Sequence, residues 1–175
     1  MATATPIAQN WLKRIPLNEY NALEAERYSH LKHILPSPRH YQHASEDGEE
    51  STPAMVRGDA THAAILEPER FASEYLTYPG ATRRGKDWDA WRSKHAEAVC
   101  ITQSERELAL EMSGAVRADP LCMRYLERGE AEIAMCWTDP ATGIRCKGRL
   151  DWITEMDGEP VIVGIKTAKI GRAHV

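Results

Sequence analysis

Residues 130–169 constrain the fold more than any other part of the chain. Ala131–Trp137 reads as a β-strand, and Asp139-Pro140-Ala141-Thr142-Gly143 reads as the turn that ends it, with proline fixing φ and glycine supplying a permissive backbone. Ile144–Ile153 reads as a second strand. Met156-Asp157-Gly158-Glu159-Pro160 is the next turn, and Val161–Ile165 is a short, wholly apolar third strand leading into Lys166. Three consecutive strands on short turns predict an antiparallel meander. Asp151 falls late on its second strand, and positions 164 and 166 share a face of its third, because side chains alternate along a strand. A carboxylate followed, across a hairpin, by an acid-x-Lys pair is an arrangement that can hold a divalent metal over a phosphodiester. The chain has Asp151 and then Gly164-Ile165-Lys166: the lysine is present, and glycine stands where the acid is expected.

Taken with two stretches upstream, this segment resembles the PD-(D/E)XK nuclease superfamily, with Leu150-Asp151 as the "PD" and Gly164-Ile165-Lys166 as the "(D/E)XK". More narrowly it is similar to the phage-type exodeoxyribonuclease VIII (RecE-type) branch. The residues that carry the likeness in the hairpin are Glu132, Trp137, Asp139-Pro140, Thr142-Gly143 and Arg149 ahead of Asp151. Upstream they are Arg57-Gly58-Asp59-Ala60-Thr61-His62 followed by Ile65-Leu66-Glu67-Pro68-Glu69-Arg70-Phe71, and then Ser29 and Leu31-Lys32 with Ser37-Pro38 and His40-Tyr41. The likeness covers about residues 20–169, and it rests on three motifs in the right order rather than on any one of them.

The resemblance implies a restriction-endonuclease-like core of the α/β class (α+β by local count). Its helices pack on a mainly antiparallel three-stranded meander, incomplete at the C-terminus. It also implies Mg²⁺ or Mn²⁺ as cofactor. Asp151, the acid expected at position 164, the backbone carbonyl of Ile165 and the imidazole of His62 would be the ligands. Lys166 would orient the attacking water, and Glu132 would assist the site. With Gly164 one carboxylate is lost, so the chain as written is expected to be inactive or very weak. The implied activity is exonucleolytic cleavage of linear double-stranded DNA in phage-type recombination, with a single-strand annealing protein as partner and a homo-oligomer as the working form. The competing reading is a non-catalytic DNA-binding or assembly module derived from the nuclease. A third is a helix-rich interaction protein whose hairpin is coincidental.

Composition agrees with a single domain over 17–169, preceded by a tail at 1–16. The chain has 175 residues, 42% of them hydrophobic and 27% charged, enough to bury a core. Its net charge of −4 does not advertise a nucleic-acid binder, but a local basic track beside an acidic site is compatible with it. No run approaches a membrane span and no signal peptide opens the chain, so a cytoplasmic protein without a membrane partner is expected. Cys100, Cys122, Cys136 and Cys146 lack metal-binding spacing and read as reduced thiols.

The remaining elements follow from local signals. Leu17–Leu35 predicts a helix with Asn18 as cap, stopped by Pro36 and Pro38. Residues 42–53 are acidic and polar and predict a flexible loop. Val56–Leu66 predicts a helix capped by Asp59 or Thr61, whose small residues let it pack closely, with His62 on the tight face. Tyr75–Pro79 is a short strand candidate. Arg83, Arg84 and Lys86 precede Trp88 and Trp91, a mixture that suits DNA backbone contact and stacking, or equally a loop entering an amphipathic helix. Thr102 and Glu105 predict a capping box, and Pro120–Glu127 a further short helix. Arg145, Lys147 and Arg149 share the strand face of Asp151, where Lys147 and Arg149 are candidate phosphate contacts; Trp152 points the other way, into the core. Finally, residues 170–175 (IGRAHV) resemble the read-through of a sequencing-library adapter and are expected to be a non-native tail.

Overall fold

The computed structural model describes residues 10–47, 52–80 and 82–167. In chain order the elements are β1 (Trp11–Arg14), α1 (Leu17–Ala22), α2 (Tyr28–Leu31) with a 3₁₀ turn at Lys32–Ile34, α3 (Pro38–Asp47), α4 (Pro53–Leu66), α5 (Pro68–Glu74) and β2 (Tyr75–Tyr78). Then follow α6 (Lys86–Lys94), β3 (Val99–Thr102), α7 (Gln103–Ala118), α8 (Pro120–Leu126), β4 (Glu130–Thr138), β5 (Arg145–Met156) and β6 (Glu159–Val163). This mixed architecture holds an antiparallel sheet ordered β1-β4-β5-β6 and a separate two-stranded sheet in which β2 and β3 run parallel. The chain divides into two compact units, one of residues 1–50 with 130–153, the other of residues 51–129 with 154–175.

The antiparallel meander β4-β5-β6 is present as expected, with one strand more. Trp11–Arg14 pairs antiparallel with β4, from Trp11 opposite Cys136 to Arg14 opposite Ile133. The first turn closes on Asp139, whose carboxylate accepts from the backbone N–H and the hydroxyl of Thr142, while Gly143 adopts φ 72°. Ala131, Ile133 and Trp152 are buried on one face of the β4–β5 pair. The helix expected over Leu17–Leu35 is broken. Leu23 is extended, and Glu26 instead joins the edge of β5: its N–H donates to the carbonyl of Arg145, and its carbonyl accepts from the N–H of Lys147. The demand of that edge for hydrogen bonds outweighs helical propensity over 23–27. Asn18 is not a side-chain cap; Pro16 occupies that position. The expected loop at 42–53 is largely helix, because α3 runs through Asp47 and α4 begins at Pro53; residues 48–51 lie outside the described residues.

The second unit is organised around α4 and α7. Ala60, Ala63 and Ala64 of α4 pack with Ala109, Phe71, Tyr75 and Ile101 in one buried cluster, and it is the small side chains that let the helices approach. The last carbonyls of α4 are satisfied from α7: Ser113 donates to Ala64 at 2.8 Å, and Arg117 to Ile65 at 2.9 Å. Thr52, rather than Asp59 or Thr61, caps α4 by accepting from the N–H of Met55. The predicted box at the start of α7 is present: Thr102 accepts from the N–H of Glu105, and Glu105 accepts from the N–H of Thr102. A tight two-residue turn, Asp157 at φ 54° and Gly158 at φ 83°, joins β5 to β6. Because β6 begins at Glu159 and ends at Val163, positions 164–166 fall in irregular chain beyond it, and the expected shared strand face for 164 and 166 is not formed.

Candidate functional site

The β4–β5 ladder sets three of the candidate residues side by side. Its register pairs Ala131 with Trp152 and Ile133 with Leu150, and Glu132 and Asp151 stand at the step between these two pairs. Asp151 lies mid-strand, since β5 continues to Met156. Glu132 has φ 58°, a left-handed conformation that is uncommon for glutamate and unusual within a strand. Its carboxylate lies 2.6 Å from Nε of Arg149 as an ion pair, with both side chains about one-fifth exposed (19% and 20%). Neighbouring carboxylates repel across a strand pair. The guanidinium of Arg149, two residues from Asp151 on the same face, supplies the compensating charge.

Lys147 has a different role from the expected phosphate contact. It is only 6% exposed, and its ammonium donates to the carbonyls of Tyr20, Asn21 and Leu23 at 3.1, 3.2 and 2.8 Å. These carbonyls lie at the end of α1, where those of Tyr20 and Leu23 also accept the backbone N–H groups of Leu23 and Ala25, so the ammonium adds a second donor to each. The ammonium also sits 5.1 Å from the centre of the Tyr20 ring. Burial, with Arg27 nearby, pulls its pKa below the ordinary lysine value. All three donors are engaged, so none remains for DNA.

A cleft of about 460 Å³ opens beside this lysine, along the edge of β5 beyond Glu26. Arg27, Tyr28, Ser29, Trp137, Gly148 and Arg149 are among its lining. Nε of Arg27 is buried without a hydrogen-bond partner, while its Nη2 meets the ring of His30 at 2.7 Å. Sequence reading passed over Arg27. Its only local signal is a cation beside the Ser29 motif.

In the second unit His62 lies half-buried on α4, one turn from Asp59. The Asp59 carboxyl is raised above the ordinary carboxylate range by loss of water around it, partly offset by His62 and Arg70, although the residue as a whole keeps exposed surface. The chain after β6 returns to this helix: a side chain added at Gly58 would meet the Thr167 hydroxyl at 3.7 Å. Lys166 is exposed, and its ammonium donates to the carbonyl of Ile165 at 3.1 Å, the same oxygen expected to bind metal. Arg83 is not a free basic contact. It pairs with Glu105 at 2.6 Å and so braces the cap of α7. Arg84 and Lys86 are exposed, and behind them Trp88 and Trp91 pack edge-on against Tyr78 at 5.1 and 5.3 Å between ring centres.

The donors do not fit a complete divalent-metal site. Gly164 has no side chain, the Glu132 carboxylate is paired with Arg149, and no group of three or more His, Cys, Asp or Glu side chains able to hold a metal gathers among the described residues. No helix among them is long and apolar enough to cross a membrane.

A comparison with curated proteins finds no match. A family model described as a PDDEXK-like domain of unknown function (DUF3799) matches residues 28–174. The match takes in α4 with His62, the β4–β5 ladder with Asp151 and the segment with Lys166, and it runs into residues 170–174, which lie outside the described residues. Spanning most of the sequence, it shows that this chain belongs to the PDDEXK-like DUF3799 family, within the PD-(D/E)XK nuclease superfamily.

Proposed function

We propose that the domain acts on linear double-stranded DNA as a metal-dependent exonuclease of the phage recombination type, impaired by Gly164. The observation that carries this reading is the order of Asp151 on β5 and Lys166 just past β6 within a family match that spans both. Asp151 is the carboxylate in the position to engage a divalent ion, and Lys166 the cation to meet a scissile phosphate. His62 is the third member, on the alanine-rich helix α4. Arg84 and Lys86, both exposed, are the cations that would meet the DNA backbone in this reading. An annealing protein that takes up the single strand left by digestion, and a homo-oligomer that encircles the duplex, belong to the same reading.

A second reading is favoured by the incomplete donor set: a DNA-binding or assembly module that has lost catalysis. One assay separates the two. Nucleotide release from linear duplex DNA in Mg²⁺ is measured for the natural chain and for Gly164→Asp. Ligands one shell further out typically change metal-site activity by about 10- to 100-fold, so restoring a direct ligand is expected to raise the rate by at least that much. Equal, substantial rates in both would remove the role given to position 164. If neither variant releases nucleotide but both bind duplex DNA, the module reading stands.

A further inference from the structure

We propose that Arg149 is a built-in substitute for a divalent cation at the Glu132 carboxylate, so that Glu132 is neutralised by the chain itself and does not draw a metal ion of its own beside Asp151. The two acids stand at one step of the β4–β5 ladder, between the pairs Ala131–Trp152 and Ile133–Leu150, where neighbouring like charges are destabilising unless a cation intervenes. The cation present is the guanidinium, 2.6 Å from Glu132 and on the same strand face as Asp151. Glu132 reaches it from a left-handed backbone at φ 58°. Such a conformation persists in an L-residue only where the surroundings determine it. The ion pair is one contact made from that backbone, a close approach of charges rather than an aligned hydrogen bond, since Nε of Arg149 has no hydrogen-bond partner. A guanidinium held in place by strand geometry excludes a second positive charge from the same carboxylate, since two cations a few ångströms apart repel strongly in a partly buried setting.

The inference does not depend on whether the domain cuts DNA, because it concerns cation binding by the protein alone. Mn²⁺ serves as the probe, and the loss of its free paramagnetic signal as the readout, on the natural chain, Glu132→Gln, Arg149→Met, Arg149→Lys and the double variant Arg149→Met with Glu132→Gln. Arg149→Met keeps the side-chain stem and removes the charge. It is expected to bind Mn²⁺ at least about 10-fold more tightly than the natural chain, the effect of deleting one nearby positive charge at an effective dielectric near 20. Arg149→Lys should behave like the natural chain, and adding Glu132→Gln should abolish the gain. The proposal is overturned if Arg149→Met and the natural chain bind alike, or if the gain survives Glu132→Gln. Should Arg149→Met fail to fold, the natural chain and Glu132→Gln decide alone. Tight Mn²⁺ binding by the natural chain that Glu132→Gln removes would show that the ion already reaches Glu132 beside Arg149. Binding unchanged by Glu132→Gln is the expected result.

Discussion

The ammonium of Lys147 lies 2.8 Å from the carbonyl oxygen of Leu23, across more than a hundred residues of sequence. With the bonds to Tyr20 and Asn21, it ties the end of α1 to the central strand of the sheet. Lys147→Met should cost about 2–3 kcal/mol of unfolding free energy, because it removes three charge-assisted hydrogen bonds between β5 and the end of α1. Urea denaturation checks this. Its DNA affinity, measured well below the unfolding midpoint, should stay at the natural level.

Glu132 offers a test of backbone strain that is separate from its charge. Glu132→Ala and Glu132→Gly both remove the ion pair, but only glycine adopts φ 58° without penalty. The glycine variant should therefore be the more stable of the two by about 1 kcal/mol, read from the difference in denaturation free energy between them. Alanine equal to or better than glycine would mean that the left-handed backbone carries no strain.

Arg83 and its two basic neighbours should separate into structural and binding roles. Glu105 is 9% exposed, accepts from Arg83 at 2.6 Å and completes the cap of α7. Removing Glu105 should cost about 3 kcal/mol through the unpaired partner, and Thr102→Ala about 1 kcal/mol through the lost cap. Arg84→Gln with Lys86→Gln should leave stability nearly unchanged. If these two cations meet phosphates, that variant should lower the salt dependence of duplex-DNA binding by close to 2 in the logarithmic slope, at about 0.9 per contact.

Acid titration should find Asp139. The Thr142 hydroxyl, with backbone N–H donors, holds its carboxyl below the ordinary value of 3.8, so the folded state releases this proton more readily than the unfolded chain. The sign follows: the stabilisation is fully present above the unfolded pKa and is lost as pH falls through the lower folded pKa. Thermal midpoints followed from about pH 5 down to about pH 2 should fall less steeply for Asp139→Asn than for the natural chain. Parallel curves would discount the turn as an acid-sensitive element.

The meander, the Asp139–Gly143 turn and the Thr102–Glu105 box were legible because each is written in a few adjacent residues. The burial of Trp152 was legible for a similar reason: a bulky apolar residue on the parity opposite the charged face has few other places to go. β1 was not legible, because four residues, Trp-Leu-Lys-Arg, carry no pattern of their own and take their conformation from β4. The break in the first helix was hidden for a similar reason: the unpaired edge of β5 that recruits Glu26 is distant in sequence. Lys147 and Arg83 look like surface cations because a basic residue on an alternating strand or in a glycine-containing loop reveals nothing about its acceptors. Those acceptors, three helix-end carbonyls and Glu105, come from other elements. Of the candidate site, the positions of Asp151 and Lys166 relative to their strands were readable to within a few residues. The Glu132–Arg149 ion pair was not, since it depends on a backbone angle that no residue type announces.

The pairing of Trp11–Arg14 with β4 also has a consequence for biosynthesis. Trp11–Arg14 has no lattice to join until residues 130–138 have been translated, whereas the helices of residues 51–129 can meet one another as soon as they emerge. Until then Trp11–Arg14 must wait as an open ribbon, exposed to proteases and holdase chaperones. Stalled or prematurely terminated messages would release it in that state.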